Sequence, residues 1–125
     1  MKRYALVVGV GPYTSERLAT LKRAKTDAQA IHDLLDEHGD FQEIHLLQDE
    51  QASYERLVEK LEYVLLKQGD KSEVLIYFSG HGLTAGASRF EQQGHLATYD
   101  CVVHPNTSRS DEDFGWLITR FRFSI

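Results

Sequence analysis

The sequence has one cysteine, Cys101, in 125 residues. A single thiol cannot form an internal disulfide framework, so a disulfide-stabilised secreted scaffold is excluded and a reducing, cytoplasmic compartment is expected. Long apolar runs are also missing, since none approaches the roughly 20 residues of a membrane-spanning helix. The apolar run near the amino terminus is short, rich in valine and without a small-residue cleavage site, which favours a first strand over a signal peptide.

Basic residues are in the minority, with 14 Lys and Arg against 19 Asp and Glu and a net charge of −5. Domains that bind nucleic acid usually carry a basic stripe, so we expect no nucleic-acid surface. The one basic cluster, "LKRAK" at residues 21–25, falls at a predicted helix start and is interpreted as a solvated face. The length and the 42% hydrophobic content suit one domain with its own core.

Three apolar runs alternate with two amphipathic segments. The runs at residues 4–10, 41–47 and 72–78 are short and predict buried strands. Residues 18–38 and 54–69 carry apolar side chains at three- and four-residue spacing, which predicts two helices. This order predicts an α/β fold with a parallel sheet covered by helices on both faces, and ligands gather at the carboxyl ends of such strands.

The helix boundaries and the second half of the chain carry weaker signals. Gly39 is interpreted as the end of the first helix, and Ser53 as the N-cap of the second. Residues 83–94 are polar and predict a loop, and residues 95–103 predict a short strand or ribbon. Residues 110–121 predict a helix with acidic side chains in its first turn.

The third predicted strand ends in "YFSGHG", residues 77–82. A strand needs neither a histidine nor two flanking glycines for its own stability. We therefore interpret His81 as a side chain presented for use, since an imidazole takes and returns protons near neutral pH. Gly80 and Gly82 are interpreted as allowing a substrate to approach the ring closely.

The same segments resemble the caspase-like cysteine peptidases, in particular the metacaspases and the prokaryotic caspase homologues. That family has an Asp-Ala signature on the helix after its first strand, which Asp27 and Ala28 match. Its catalytic histidine lies in "YFSGHG", which residues 77–82 match throughout, and "SDEDFGWLITRF" is similar to a later acidic helix start. The resemblance implies a three-layer caspase-like α/β fold, a mostly parallel sheet flanked by helices and incomplete at the carboxyl terminus.

The resemblance also implies roles for four residues. His81 is the general base and acid beside a cysteine thiolate, and the Gly82 N–H donates to the oxyanion. Asp27 and Ser79 correspond to a pocket for a basic side chain, because a carboxylate pairs with Lys or, in bidentate fashion, with Arg. Asp-specific caspases have an arginine upstream of that aspartate, where this chain has Leu21. Cleavage after Arg or Lys is therefore implied.

One part of the family pattern is missing. The family's nucleophile lies in a "D-x-C-H-S-G"-like segment, which does not occur in this sequence. The resemblance thus implies that residues 1–125 form a large-subunit (p20-like) domain whose carboxyl-terminal part is missing, with the nucleophile expected beyond residue 125. The expected partners are peptide or protein substrates and a small-subunit half, with no membrane and no nucleic acid.

Cys101 is an alternative nucleophile, because an aspartate precedes it. A depressed thiol pKa would then be needed, and no Lys or Arg lies next to it in the sequence. By the resemblance this position lies away from the nucleophile. We favour a small buried hydrophobic side chain.

Metal sites are the weaker interpretation of two other groups of side chains. A zinc site would combine three imidazoles and one thiolate, those of His81, His95, Cys101 and His104. The spacing of these residues in the sequence matches no compact zinc motif. A calcium site, as in calcium-dependent metacaspases, would use the acids Asp111, Glu112 and Asp113. Acids at a helix start need no metal, so we expect no cofactor.

Two other classes of function stay open. The first is a non-catalytic caspase-like module that binds partners through a sheet edge or through exposed aromatics. A homodimer is also expected if the aromatic side chains of Phe114, Trp116 and Phe121 leave apolar surface exposed. The second is a flavodoxin-like protein that holds a phosphorylated ligand at "GVGPYT", residues 9–14. That loop lacks the third glycine of a dinucleotide fingerprint, so a simple turn is favoured.

Overall fold

The structure is a computed structural model that describes residues 2–66, 71–85 and 93–102. The described elements are, in chain order, β1 (Lys2–Gly9), α1 (Ala24–His38), β2 (Glu43–Gln48), a single 3₁₀ turn (Asp49–Gln51), α2 (Tyr54–Leu66), β3 (Ser72–Ser79), β4 (Gly82–Ala85) and β5 (Gln93–Leu96). No helix in these three ranges is long and apolar enough to cross a bilayer.

The first three strands form a parallel sheet with β1 in the centre and the order β2-β1-β3. Val7 of β1, for example, pairs with Leu46 on one side and with Tyr77 on the other. The predicted α/β fold with its mostly parallel sheet is confirmed. The short apolar runs form strands here because β1 is buried on both of its faces.

The two helices cover opposite faces of this sheet. On one face, apolar side chains of β1 and of the residue after it pack against apolar side chains of α2. The strand side chains are Leu6, Val8 and Val10, and the helix side chains are Leu57, Leu61 and Val64. Side chains alternate between the faces of a strand, so Gly9 faces the other side. There a Cβ on Gly9 would lie 2.4 Å from the Ala24 carbonyl oxygen and 2.5 Å from the Ala28 Cβ. The glycine lets the first turn of α1 lie directly on the end of β1.

The first helix is shorter than predicted at its amino end. It begins at Ala24 rather than at residue 18, and Leu21, although at helical spacing, lies in the preceding loop, where its N–H donates to the Gly11 carbonyl at 2.9 Å. Gly39 ends the helix as predicted and donates its N–H to the Leu35 carbonyl. The left-handed residue is the next one, Asp40, at φ 52°.

The polar segment after the histidine motif is the largest correction to the predicted elements. Residues 83–94 were expected to form a loop, yet the chain forms an antiparallel pair there, β4 with β5. The strand or ribbon predicted at residues 95–103 shares only His95 and Leu96 with β5, and residues 97–102 are not in a strand. Ser53 is confirmed as an N-cap, since its hydroxyl accepts the Arg56 N–H at 3.4 Å. The end of the second helix, predicted at residue 69, and the helix predicted at residues 110–121 lie outside the described residues.

Candidate active site

The end of β3 brings the histidine motif to the carboxyl edge of the sheet. Ser79 is the last residue of β3 and pairs with Gly9, the last residue of β1. The Val10 N–H donates to the Ser79 carbonyl at 2.9 Å, which extends the pairing by one residue. His81 follows immediately and Gly82 begins β4, so the motif spans the turn from the sheet into the hairpin.

Asp27 lies at the same edge of the sheet. It belongs to the first turn of α1, and both Ala24 and Ala28 of that turn approach Gly9, the partner of Ser79. Its carboxylate is exposed to solvent. Of the predicted site residues, Ser79, His81 and Gly82 are therefore almost contiguous, and the helix turn that carries Asp27 packs on the strand next to Ser79.

The backbone of His81 is held from two sides. Its N–H donates to the Tyr13 hydroxyl oxygen at 2.7 Å, and its carbonyl accepts the Ala97 N–H at 2.9 Å. The Tyr13 and His81 rings also face one another, with centroids 5.2 Å apart and planes inclined by 59°. Tyr13 was not among the residues singled out in the sequence, because 68 positions separate it from His81.

The imidazole of His81 is oriented by a backbone carbonyl. Its Nε2 lies 2.7 Å from the Ala19 oxygen. A carbonyl can only accept a hydrogen bond, so Nε2 must carry the proton in the neutral ring. The lone pair is then on Nδ1, which makes Nδ1 the basic nitrogen. The ring is half-buried and lies at the rim rather than inside the core.

The Gly82 N–H points away from the hairpin ladder. Hydrogen-bonded and non-hydrogen-bonded pairs alternate along antiparallel strands. Because the Ala97 N–H donates to the His81 carbonyl, the next pair, Gly82 with Leu96, is a non-hydrogen-bonded one. The Gly82 amide therefore lies on the side opposite β5, where it can donate to another acceptor.

The two glycines of the motif serve different purposes. A Cβ on Gly80 would lie 2.6 Å from the Tyr13 hydroxyl oxygen, so the close approach of Tyr13 requires glycine there. A Cβ on Gly82 would instead make an ordinary van der Waals contact, since the nearest atom of the described residues, the His95 carbonyl oxygen, would lie at 3.8 Å. Neither glycine has a positive φ. The packing of the described residues therefore requires glycine at position 80 but not at position 82.

Cys101 is fully buried, in a small cluster with Ala97 that packs against Tyr13, Leu18 and Leu83. A peptide at the rim cannot reach a sulfur in this position without displacing the side chains packed around it. The sequence interpretation of Cys101 as a buried hydrophobic side chain is thus the one that its environment supports.

We expect the Cys101 thiol to react with Ellman's reagent at least about tenfold more slowly in the native protein than in guanidinium chloride, because the reagent must wait for local opening. The release of thionitrobenzoate measures both rates on the same chain. Equal rates would contradict the burial of the sulfur and would reopen its role as a nucleophile.

The metal interpretations find little support where they fall on described positions. Within residues 2–66, 71–85 and 93–102, no three His, Cys, Asp or Glu side chains are grouped so that they could hold a metal ion. His104, the acids at residues 111–113 and the three aromatics Phe114, Trp116 and Phe121 lie outside these ranges. Nothing therefore tests the calcium site or the proposed dimer surface.

The loop after β1 is a poor anion site. Its Gly11 N–H already donates to the Asp49 carboxylate at 3.0 Å, and that negative charge would repel a phosphate. Helix α1 begins only at Ala24, so its amino terminus does not open directly on "GVGPYT" as a dinucleotide site requires. Both observations favour the simple turn over the flavodoxin-like interpretation.

Comparison with known proteins identifies a family and finds solved structures of similar fold. The model of the peptidase C14 caspase domain matches residues 2–119. The crystal structure of protein GSU0716 from Geobacter sulfurreducens is similar, with a TM-score of 0.68 and 16% sequence identity over 80% of this chain and 40% of that one. At this identity the likeness concerns the fold alone, and the chain spans less than half of the length of that protein. No curated protein matches the sequence.

Proposed function

Because the chain belongs to the peptidase C14 caspase domain family, we propose that it carries the catalytic base of a cysteine endopeptidase that cleaves after Arg or Lys. The orientation of His81 is the observation that carries this proposal. A ring whose Nε2 proton is bound by the Ala19 carbonyl has its basic nitrogen, Nδ1, available for a thiol.

In the proposed reaction, His81 Nδ1 takes the proton of a cysteine thiol, and the thiolate attacks the carbonyl carbon of the scissile bond. The negative oxygen that results accepts the Gly82 N–H. The imidazolium then returns the proton to the leaving amine, and an acyl-enzyme remains for hydrolysis by water. His81 therefore acts first as a base and then as an acid, without any metal or cofactor.

The nucleophile in this proposal is a cysteine outside residues 1–125. Cys101, the one cysteine of the sequence, is fully buried, so its sulfur does not meet a peptide at the rim. Either a longer form of the protein or a small-subunit partner supplies the sulfur. The single thiol of this chain is in keeping with a cytoplasmic protein, which forms part of the proposal.

The preference for basic residues rests on Asp27. In this proposal its exposed carboxylate binds an ammonium or a guanidinium of the substrate. The support is that the first turn of α1 packs on Gly9, the pairing partner of Ser79. An enzyme that selects aspartate needs a positive charge there instead. Leu21, at the position of the arginine in Asp-specific caspases, is an apolar residue in the loop before α1.

Fluorogenic peptides that end in Arg, Lys or Asp test the proposal. We expect the full-length protein to hydrolyse the Arg and Lys peptides and to leave the Asp peptide uncleaved, while the 125-residue chain alone releases no fluorophore. Hydrolysis after Asp would contradict the assigned specificity. Turnover by the 125-residue chain that disappears in Cys101→Ala would contradict the assigned source of the nucleophile.

A non-catalytic caspase-like module is the second candidate, and the burial of Cys101 favours it for this chain taken by itself. Such a module would keep the fold and bind partner proteins without cutting them. The same assay separates the two candidates, because a full-length protein that cleaves none of the three peptides, under conditions where it binds them, supports the module.

A further inference from the structure

Tyr13 contacts the histidine motif in three ways that the proposed reaction does not use. Its hydroxyl oxygen accepts the His81 N–H at 2.7 Å, and its ring lies 5.2 Å from the imidazole. The same hydroxyl fills the space that a Cβ on Gly80 would occupy. Burial raises the pKa of Tyr13 above its ordinary value, so the hydroxyl stays neutral in the pH range in which a histidine titrates.

The loop that carries Tyr13 is well anchored. Its ring packs against both buried clusters, the one between β1 and α2 and the one around Cys101. The next residue, Thr14, donates its N–H to the Tyr99 carbonyl at 3.0 Å, and Gly11 donates to the Asp49 carboxylate. These contacts hold Tyr13 in place, so that its hydroxyl can fix the position of the His81 backbone.

The same loop also supplies Ala19, whose carbonyl binds the other end of His81. The N–H of Leu21 donates to the Gly11 carbonyl and so closes the loop that contains both Tyr13 and Ala19. His81 is thus held at its amide by the Tyr13 side chain and at its ring by the Ala19 backbone. A shift of the amide would move Nε2 away from Ala19, and the proton would no longer be fixed on Nε2.

We propose that Tyr13 is a positioning residue for His81, and that its hydroxyl holds the histidine backbone where the Ala19 carbonyl keeps the proton on Nε2 and the lone pair on Nδ1. This inference rests on the proposed function of His81 as the catalytic base. It also explains Gly80, which is small because the Tyr13 hydroxyl lies beside it.

The test compares the imidazole tautomer of His81 with turnover. In the full-length protein labelled with ¹⁵N in histidine, long-range ¹H–¹⁵N spectra distinguish the Nε2–H from the Nδ1–H ring, and the signal missing from His81→Gln identifies His81. We expect the Nε2–H tautomer in the wild type and a mixture of tautomers in Tyr13→Phe. The kcat of Tyr13→Phe should fall about tenfold with little change in KM, because the base is displaced while the substrate pocket is kept.

Two further variants make the test specific. Gly80→Ala pushes the Tyr13 hydroxyl away while leaving tyrosine in place, so it should reproduce both effects of Tyr13→Phe. Tyr63→Phe is the matched control, since it removes a hydroxyl that bonds to Glu43, away from His81, and it should leave the tautomer and the kcat unchanged.

The outcomes separate this inference from the proposed function. If the wild type cleaves Arg peptides and Tyr13→Phe keeps both the Nε2–H ring and the wild-type kcat, the role of Tyr13 is wrong and the protease proposal stands. If Tyr13→Phe changes the tautomer and no wild-type cleavage is found, Tyr13 positions His81 in a protein that is not the proposed protease.

Discussion

We expect the replacement of His81 with alanine in the full-length protein to lower the kcat for Arg and Lys peptides by about 10³-fold, because in the proposed reaction His81 takes the proton from the thiol and returns it to the leaving amine. The midpoint of urea unfolding should change little, since the ring is only half-buried at the rim, where it contacts the Ala19 carbonyl and the Tyr13 ring. Initial rates and urea unfolding curves of the purified proteins measure the two effects.

His38→Ala is the matched control for this variant. His38 is the last residue of α1, its side chain is exposed, and its Nε2 lies 3.4 Å from the Glu37 carboxylate. Its substitution should leave the kcat at the wild-type value. A His81→Ala protein that kept more than about a tenth of the wild-type kcat would show that His81 is not the base.

We expect the replacement of Asp27 with asparagine to lower kcat/KM for Arg peptides by about 100-fold, because the side chain keeps its size but loses the charge that is proposed to bind the guanidinium. The expected loss is of the same order for Lys peptides, and Asp27→Lys should reject both. Asp27 is exposed, so neither variant should unfold the protein. Steady-state kinetics with the two peptides measure the effect.

Asp36→Asn is the control, since Asp36 is an exposed acid on the same helix at the far end from Asp27. It removes one negative charge from α1 without touching the rim, so any general effect of net charge would appear in both variants. If Asp36→Asn and Asp27→Asn reduced kcat/KM equally, Asp27 would not be the recognition residue.

The periodic part of the fold could be predicted because its signal is local. The valine-rich run of β1 and the leucine stripe of α2 each predict a buried element from neighbouring residues alone. The alternation of strands and helices along the chain then predicts the parallel pairing that the sheet has. The residue at which α1 begins could not be predicted from such a local pattern. Leu21 has helical spacing, but its N–H bonds to Gly11, a contact across the loop that no local pattern reports.

The candidate site could be predicted only where side chains carry the chemistry. His81 could be identified because it lies between two glycines. Asp27 could be identified because it and Ala28 match the Asp-Ala signature of the family. Ala19 acts through its backbone carbonyl, which any residue possesses, and Tyr13 reaches His81 from a distant part of the sequence. The pair of strands β4 and β5 was missed because its partners are separated by a polar segment without alternating apolar residues.

The most direct test of the account is a crystal structure of the full-length protein bound to a peptide aldehyde that ends in arginine. The account predicts a bond from the aldehyde carbon to a cysteine sulfur outside residues 1–125, with that sulfur about 3.5 Å from His81 Nδ1 and the arginine paired with Asp27. A peptide bound to Cys101, or an arginine side chain directed away from Asp27, would contradict it.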